Sequence, residues 1–273
     1  MGAGVQRLAP AHERAALAFL AESPYEHVFL TWLIERDRSS ATRAGLHVYL
    51  DAARVRGVAF FGRQVVLAGD ETITDAFASV ASAFRFERMI VGPRRLVERY
   101  WSQVRGWHTP ARMVRESQPL LALEPHDLRG DARGVAVRRA REDEWAVVTE
   151  NSAMMIEHEL GYDPRAYSVD FGANVRQMIA RGLWWLGEFE GRICFFCNAG
   201  PYSAQTLQLQ GIWTPPHSRG RGLATGALHG ICAALLADYP TLSLYVNGFN
   251  APALALYERV GFTRAGEFAT ILF

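Results

Sequence analysis

Residues 207–262 read strand, glycine-rich turn, helix, strand, helix, and no other stretch constrains the chain as tightly. Leu207-Gln208-Leu209-Gln210 alternates as a half-buried strand does, and Thr214-Pro215-Pro216-His217-Ser218 breaks it off. After Arg219-Gly220-Arg221-Gly222-Leu223, apolar residues recur at Ala224, Ala227, Leu228, Ile231 and Leu235, the spacing of an amphipathic helix. The glycines therefore sit where a strand turns into a helix. A helix start leaves backbone N–H groups without intrahelical partners and carries the positive end of the macrodipole, so it attracts phosphate. Glycine lets the backbone approach an anion closely, while Arg219 and Arg221 add positive charge. The spacing excludes two commoner phosphate loops. No Gly-Lys-Ser/Thr follows, and Thr225 stands where a dinucleotide fingerprint needs its third glycine.

The continuation is a strand ending near Asn247, then Asn250-Ala251-Pro252-Ala253, Tyr257 and Gly261-Phe262. Arg-x-x-Gly-x-Ala before a helix, followed by Asn-x-x-Ala-x-x-x-Tyr-x-x-x-Gly-Phe, resembles the acetyl-coenzyme A site of the GNAT N-acetyltransferase superfamily over residues 135–273. The resemblance implies an α/β mixed sheet, acetyl-CoA as co-substrate and an amine as acceptor. It implies that the turn from Arg219 through Gly220, Arg221, Gly222, Leu223 and Ala224 holds the pyrophosphate. The pantetheine amides would pair with an exposed strand edge at Gly211, Ile212, Trp213 and Thr214, where this strand splays from the next. Asn250 reads as a helix N-cap, and Asn247 either touches cofactor or ends its strand. Tyr257 lies two turns beyond Asn250 and serves as proton donor to the departing thiolate, or else as an aromatic core residue.

Many relatives place a glutamate on the strand at 207–213, whereas this chain has Gln208 and Gln210, and an amide accepts no proton at neutral pH. Glu157 and Glu159, at the end of the helix expected to wall the acceptor site, are the nearest alternatives. Two residues apart on a helix they diverge by about 200°. An acyl-CoA-dependent N-acetyltransferase acting on a small-molecule amine or a protein lysine is the leading expectation. A non-catalytic acetyl-CoA sensor or partner-docking module is the rival, prompted by the missing strand carboxylate.

A net charge of +1 gives no electrostatic reason for a nucleic-acid or membrane partner, and the apolar runs are too short to span a bilayer. The N-terminus lacks the order of a signal peptide, so a cytoplasmic location is expected. The eight histidines show no metal spacing, and no metal is expected. Cys194 and Cys197 lie three apart on a strand, which should send their thiols to opposite faces as buried structural residues.

Residues 1–124 show the same element order as 135–273: a strand (5–8), two helices (10–21, 25–36), three strands (46–50, 54–61, 64–68), a helix (72–84), a strand (88–91), a helix (93–104) and a closing strand (112–123). In the second copy the corresponding early elements are a strand at 135–139, helices at 142–160 and 167–181, and strands at 183–189, 193–199 and 207–213. A polar linker at 125–134 separates them. A tandem GNAT-like architecture is expected, its first half degenerate because Asp70 and Glu71 stand where the phosphate turn should be. That half also resembles the N-terminal domain of unknown function of one bacterial GNAT group, at Ile90-Val91-Gly92-Pro93 and around Arg115 to Leu121.

Overall fold

The computed structural model describes residues 3–84 and 87–273. The first half contains β1 (Gly4–Arg7), α1 (Pro10–Leu20), α2 (Pro24–Arg36), α3 (Ser40–Gly45), β2 (Leu46–Asp51), β3 (Arg54–Phe61) and β4 (Gln64–Ala68). It ends with α4 (Glu71–Val80), β5 (Met89–Pro93), α5 (Arg94–Val104) and β6 (Met113–Leu123). The second half contains β7 (Ala136–Arg139), α6 (Trp145–Leu160), α7 (Phe171–Ala180), β8 (Trp184–Phe189), β9 (Arg192–Tyr202) and β10 (Leu207–Trp213). It closes with α8 (Leu223–Leu236), β11 (Leu242–Tyr245), α9 (Ala251–Val260) and β12 (Thr263–Leu272).

Apart from α3, the two orders match. This short helix is nucleated by a local cap, the Ser39 hydroxyl accepting from the Thr42 N–H at 3.3 Å, which carries no apolar period to read. The expected start of α6 shifts later because a 3₁₀ turn at Glu142–Glu144 precedes it, and that of α7 because residues 167–170 form turns before Phe171.

Twelve strands form one sheet in the order β1-β2-β3-β4-β5-β12-β6-β11-β10-β9-β8-β7. The last strand of each half is exchanged. β12 of the second half pairs antiparallel with β5, and β6 of the first half pairs antiparallel with β11; the two exchanged strands pair with each other between them. Helices α1, α2, α6 and α7 cover one face, burying Leu20, Leu30, Val148 and Ile179. Helices α4, α5, α8 and α9 cover the other, burying Phe77, Tyr100, Ile231 and Tyr257.

A buried polar chain crosses the exchange. The Thr270 hydroxyl of β12 donates to Gln118 Oε1 of β6 at 2.5 Å, and Gln118 Nε2 donates to Asn247 Oδ1 at 3.0 Å. All three side chains are buried, so each bond is shielded from competing water.

The cysteines depart from expectation. A bulge in β9, where the register slips between Gly187↔Phe195 and Glu188↔Ile193, puts Cys194 in the same core as Cys197. Both thiols are buried and unbridged, and burial raises both pKa values, that of Cys197 to about 12. They pack as small apolar groups, as expected, although on one side of the strand.

Exchanged strands tie the halves into one unit. Calorimetric unfolding should therefore show a single transition with matching calorimetric and van't Hoff enthalpies, and two resolved transitions would contradict this. Gln118→Leu should destabilise the fold by about 1–3 kcal/mol in urea titration, since Asn247 and Thr270 are left buried without partners.

Candidate functional site

β10 and β11 run parallel but pair only at Leu207↔Leu242 and Gln208↔Ser243. Beyond Gln208 the strands part, leaving one edge of β10 free from Leu209 to Trp213. On its other side β10 pairs with β9, with a register slip between Gln210 and Trp213. Gly211 lies in that bulge at φ +57°, a conformation that favours glycine, and a Cβ there would come within 3.2 Å of the Trp184 ring. Gly211 and Ile212, both half-buried, therefore lie on the unpaired edge.

Past β10 the chain turns through Thr214 and a 3₁₀ turn at Pro216–Ser218 into α8. Gly220 and Gly222 take φ +74° and +75°, and Gly222 is the N-cap. No side chain caps this helix, so its first N–H groups keep their capacity for an anion. Leu223 anchors the start in the core, and Ala224 lies beside it, half-buried.

The arginines are held rather than free. Arg219 Nε donates to the Thr214 carbonyl at 3.0 Å and its guanidinium lies 4.6 Å from the Trp213 ring; Arg221 lies 5.5 Å from the Phe189 ring. A third cation reaches the turn from the linker: Arg133 Nη1 sits 3.0 Å from where a Cβ of Gly222 would be. Nothing in the polar linker around Arg133 marks it as part of this turn.

The equivalent helix of the first half is closed. The Asp70 carboxylate accepts from the Ile73 N–H at 2.9 Å, filling the N-terminus of α4 with a negative charge. The β4–β5 pair also parts after two residues, Gln64↔Met89 and Val65↔Ile90, so the first half keeps the opening and lacks the free helix start.

On the far side of the opening, Asn250 caps α9, its Oδ1 accepting from the Ala253 N–H at 3.2 Å. Asn247 is turned toward Gln118 by the bond described above. Tyr257 is 6 % exposed and packs against Phe262, and among the described residues its hydroxyl has no hydrogen-bond partner. Burial holds its pKa above the ordinary phenol value, with the neighbouring Cys197 and Glu159 groups adding to the rise. The phenol is therefore a protonated donor at neutral pH.

Glu157 and Glu159 do separate as their spacing requires. Both are exposed. Glu157 lies on the side of Arg165, whereas Glu159 acts electrostatically on Tyr257 and Tyr245. The exchanged strand sets the end of this helix: Arg112 Nη2 donates to the Leu160 carbonyl at 2.7 Å, and Arg115 Nη2 to the Glu159 carbonyl at 3.2 Å. These arginines satisfy carbonyls at the negative end of α6. His158 stands beside Trp213, ring centroids 5.7 Å apart, which brings α6 against the end of β10.

Gln208 and Gln210 point away from Leu207 and Leu209, toward the α2 and α7 face, and Gln210 Nε2 donates to Gln208 Oε1 at 3.0 Å. They form part of the wall of a cavity of about 350 Å³ between α2 and α7. The cavity is thus built by both halves, which the sequence order of the elements does not disclose.

The described residues hold no group of three His, Cys, Asp or Glu placed to bind a metal, and no helix among them is long and apolar enough to cross a membrane. Residues 152–262 match the Acetyltransferase (GNAT) family, and residues 44–148 match a domain of unknown function, DUF4081. The sequence matches no curated protein. The fold is similar to that of a Drosophila protein (TM-score 0.68, 10% identity, 100% of this chain and 99% of that one). It is also similar to a tandem GNAT protein from the clavulanic acid biosynthesis pathway (TM-score 0.60, 11% identity, 98% of each chain). A third similar structure is a GCN5-related N-acetyltransferase from Sphaerobacter thermophilus (TM-score 0.59, 13% identity, 98% and 94%). With its uncapped glycine turn, split parallel strands and matched family model, the second half belongs to the GNAT acetyltransferase family, and the whole chain has the tandem GNAT architecture, DUF4081 forming much of its first half.

Proposed function

We propose that the protein transfers an acetyl group from acetyl-CoA to a primary amine by direct attack, with the second half alone holding acetyl-CoA. The observation that carries this reading is the contrast between two equivalent helix starts, α4 closed by Asp70 and α8 open at Gly222. The α8 N–H groups, with Arg133 and Arg221 nearby, suit a pyrophosphate. The free edge of β10 suits the pantetheine amides, which pair as a strand would. Acetyl-CoA supplies the activated acyl carbon and a thiolate leaving group.

A primary amine of pKa near ~10.4 is only about one part in 2,500 neutral at pH 7, so losing its proton is part of the barrier. Glu159, close enough to act electrostatically on the Tyr257 phenol and also 3.8 Å from Arg115, is the better placed of the two carboxylates to draw the ammonium in; Glu157 lies near Arg165. The ammonium first loses one proton to water; its neutral nitrogen then bonds to the acyl carbon, the carbon–sulfur bond breaks, Tyr257 gives its phenolic proton to the sulfur, and the second proton lost by the nitrogen restores the phenol through water. A backbone N–H in the Gly211–Ile212 bulge supports charge on the acyl oxygen.

Gly222→Val should weaken acetyl-CoA binding by about tenfold or more in calorimetry, because valine is strained at φ +75° and crowds Arg133. Unchanged affinity in a folded variant would remove the helix start from the site. Tyr257→Phe should lower kcat by about 10²- to 10⁴-fold with little change in acetyl-CoA affinity. Its hydroxyl bonds no described residue, so stability should move by less than about 1 kcal/mol. A wild-type kcat, with chemistry rate-limiting, would return Tyr257 to the core, and cofactor binding without turnover of any amine would favour a sensor.

A further inference from the structure

Attack on a thioester needs a neutral nitrogen, and β10 carries no group to take its proton, since Gln208 and Gln210 are amides. The last turn of α6 borders the same opening. Met155 of α6 is half-buried against the core that contains Trp213 of β10. His158 and Glu159 come three and four residues later, so both lie one turn beyond Met155 and about 100° apart around the helix axis.

The two side chains meet different strands. Glu159 acts electrostatically on Tyr245 of β11 and Tyr257 of α9 and lies 3.8 Å from Arg115 of β6. His158 lies against β10, its ring 5.7 Å from that of Trp213, and Gly211 and Ile212 immediately precede Trp213 on that strand. The charged groups around His158 are Glu157 and Glu159 on its own helix and Arg219, whose guanidinium lies 4.6 Å from the Trp213 ring. His27, His47 and His229 each commit Nδ1 to a backbone carbonyl, of Leu20, Gly45 and Arg129. His158 has no hydrogen bond or ion pair to any described residue, so both ring nitrogens stay available, and its exposure lets a proton taken there pass on to solvent.

Resting on the acetyl-transfer reading, we infer that His158 is the general base for the acceptor amine. Glu159 holds the ammonium; the water that takes its first proton hands that proton to a ring nitrogen of His158, and the imidazolium releases it to solvent. The neutral nitrogen then attacks the acyl carbon, and Tyr257 protonates the departing sulfur. An imidazole is a stronger base than a carboxylate and exchanges protons readily near neutral pH, so the two neighbours divide the work, one attracting charge and the other removing the proton.

The test is a thiol-release assay with n-propylamine, 2-phenylethylamine and a lysine-containing peptide, run from about pH 7 to about pH 9 on the wild type and on His158→Gln, whose amide takes no proton. His158 is exposed, so the variant should fold, and its acetyl-CoA affinity in calorimetry should stay within about threefold of the wild type. With the amine that the wild type uses best, kcat/KM for that amine should fall by about 10²-fold or more near pH 7. The deficit should shrink by about tenfold or more toward pH 9, because the neutral fraction of the free amine rises about a hundredfold over that range and the base is needed less. A kcat/KM equal to the wild type's, a deficit of the same size at both ends of the range, or a matching loss of acetyl-CoA affinity would overturn the assignment and leave acetyl transfer standing. No turnover of any of these amines by the wild type, with acetyl-CoA bound, would overturn the transfer reading and the assignment with it.

Discussion

The exchange of final strands is the constraint on which the rest of the structure depends. β11 shares only two paired positions with β10, and a strand so weakly held on one side would be an exposed edge if nothing lay on the other. β6 fills that other side over all four residues of β11, from Leu242↔Leu123 to Tyr245↔Leu120. The opening between β10 and β11 is therefore stable without closing. The same strand carries Gln118, which fixes Asn247, and Arg115, which holds the end of α6 beside the opening. A strand of the half without the free helix start thus supports the half that has it.

Two copies of one fold have diverged through few contacts. Both keep a parallel pair that parts after two residues. At the following helix, one has a carboxylate on its first N–H groups and the other has two glycines at positive φ. A carboxylate satisfies these donors internally and repels a phosphate, whereas glycine leaves them for a ligand. What the first half offers instead is a wall: α2 lies over β9 and β10 and faces the cavity with aromatic rings and one carboxylate.

Most elements were legible because each rests on a local cause. Strands β3, β4 and β10 fall where alternation and turn residues put them, and Asn250 caps α9 as its position before Ala251-Pro252 implies. The partners of β6 and β12 were not legible, since an apolar strand reads alike whether it lies beside β5 or β11. Arg133, Gln118 and Glu26 reach the site or its cavity from distant segments, and nothing in their neighbourhoods marks them. The joint face of Cys194 and Cys197 follows from one inserted residue in β9, a change of register that strict alternation hides.

The central claim is that acetyl-CoA sits at the α8 start and along the free edge of β10, and nowhere in the first half. Amide hydrogen exchange with and without acetyl-CoA measures this residue by residue. The account predicts new protection at residues 211–214 and 220–225 and none at the corresponding first-half turn, residues 69–74. Protection at 69–74, or unchanged exchange at 220–225 with acetyl-CoA saturating, would contradict it.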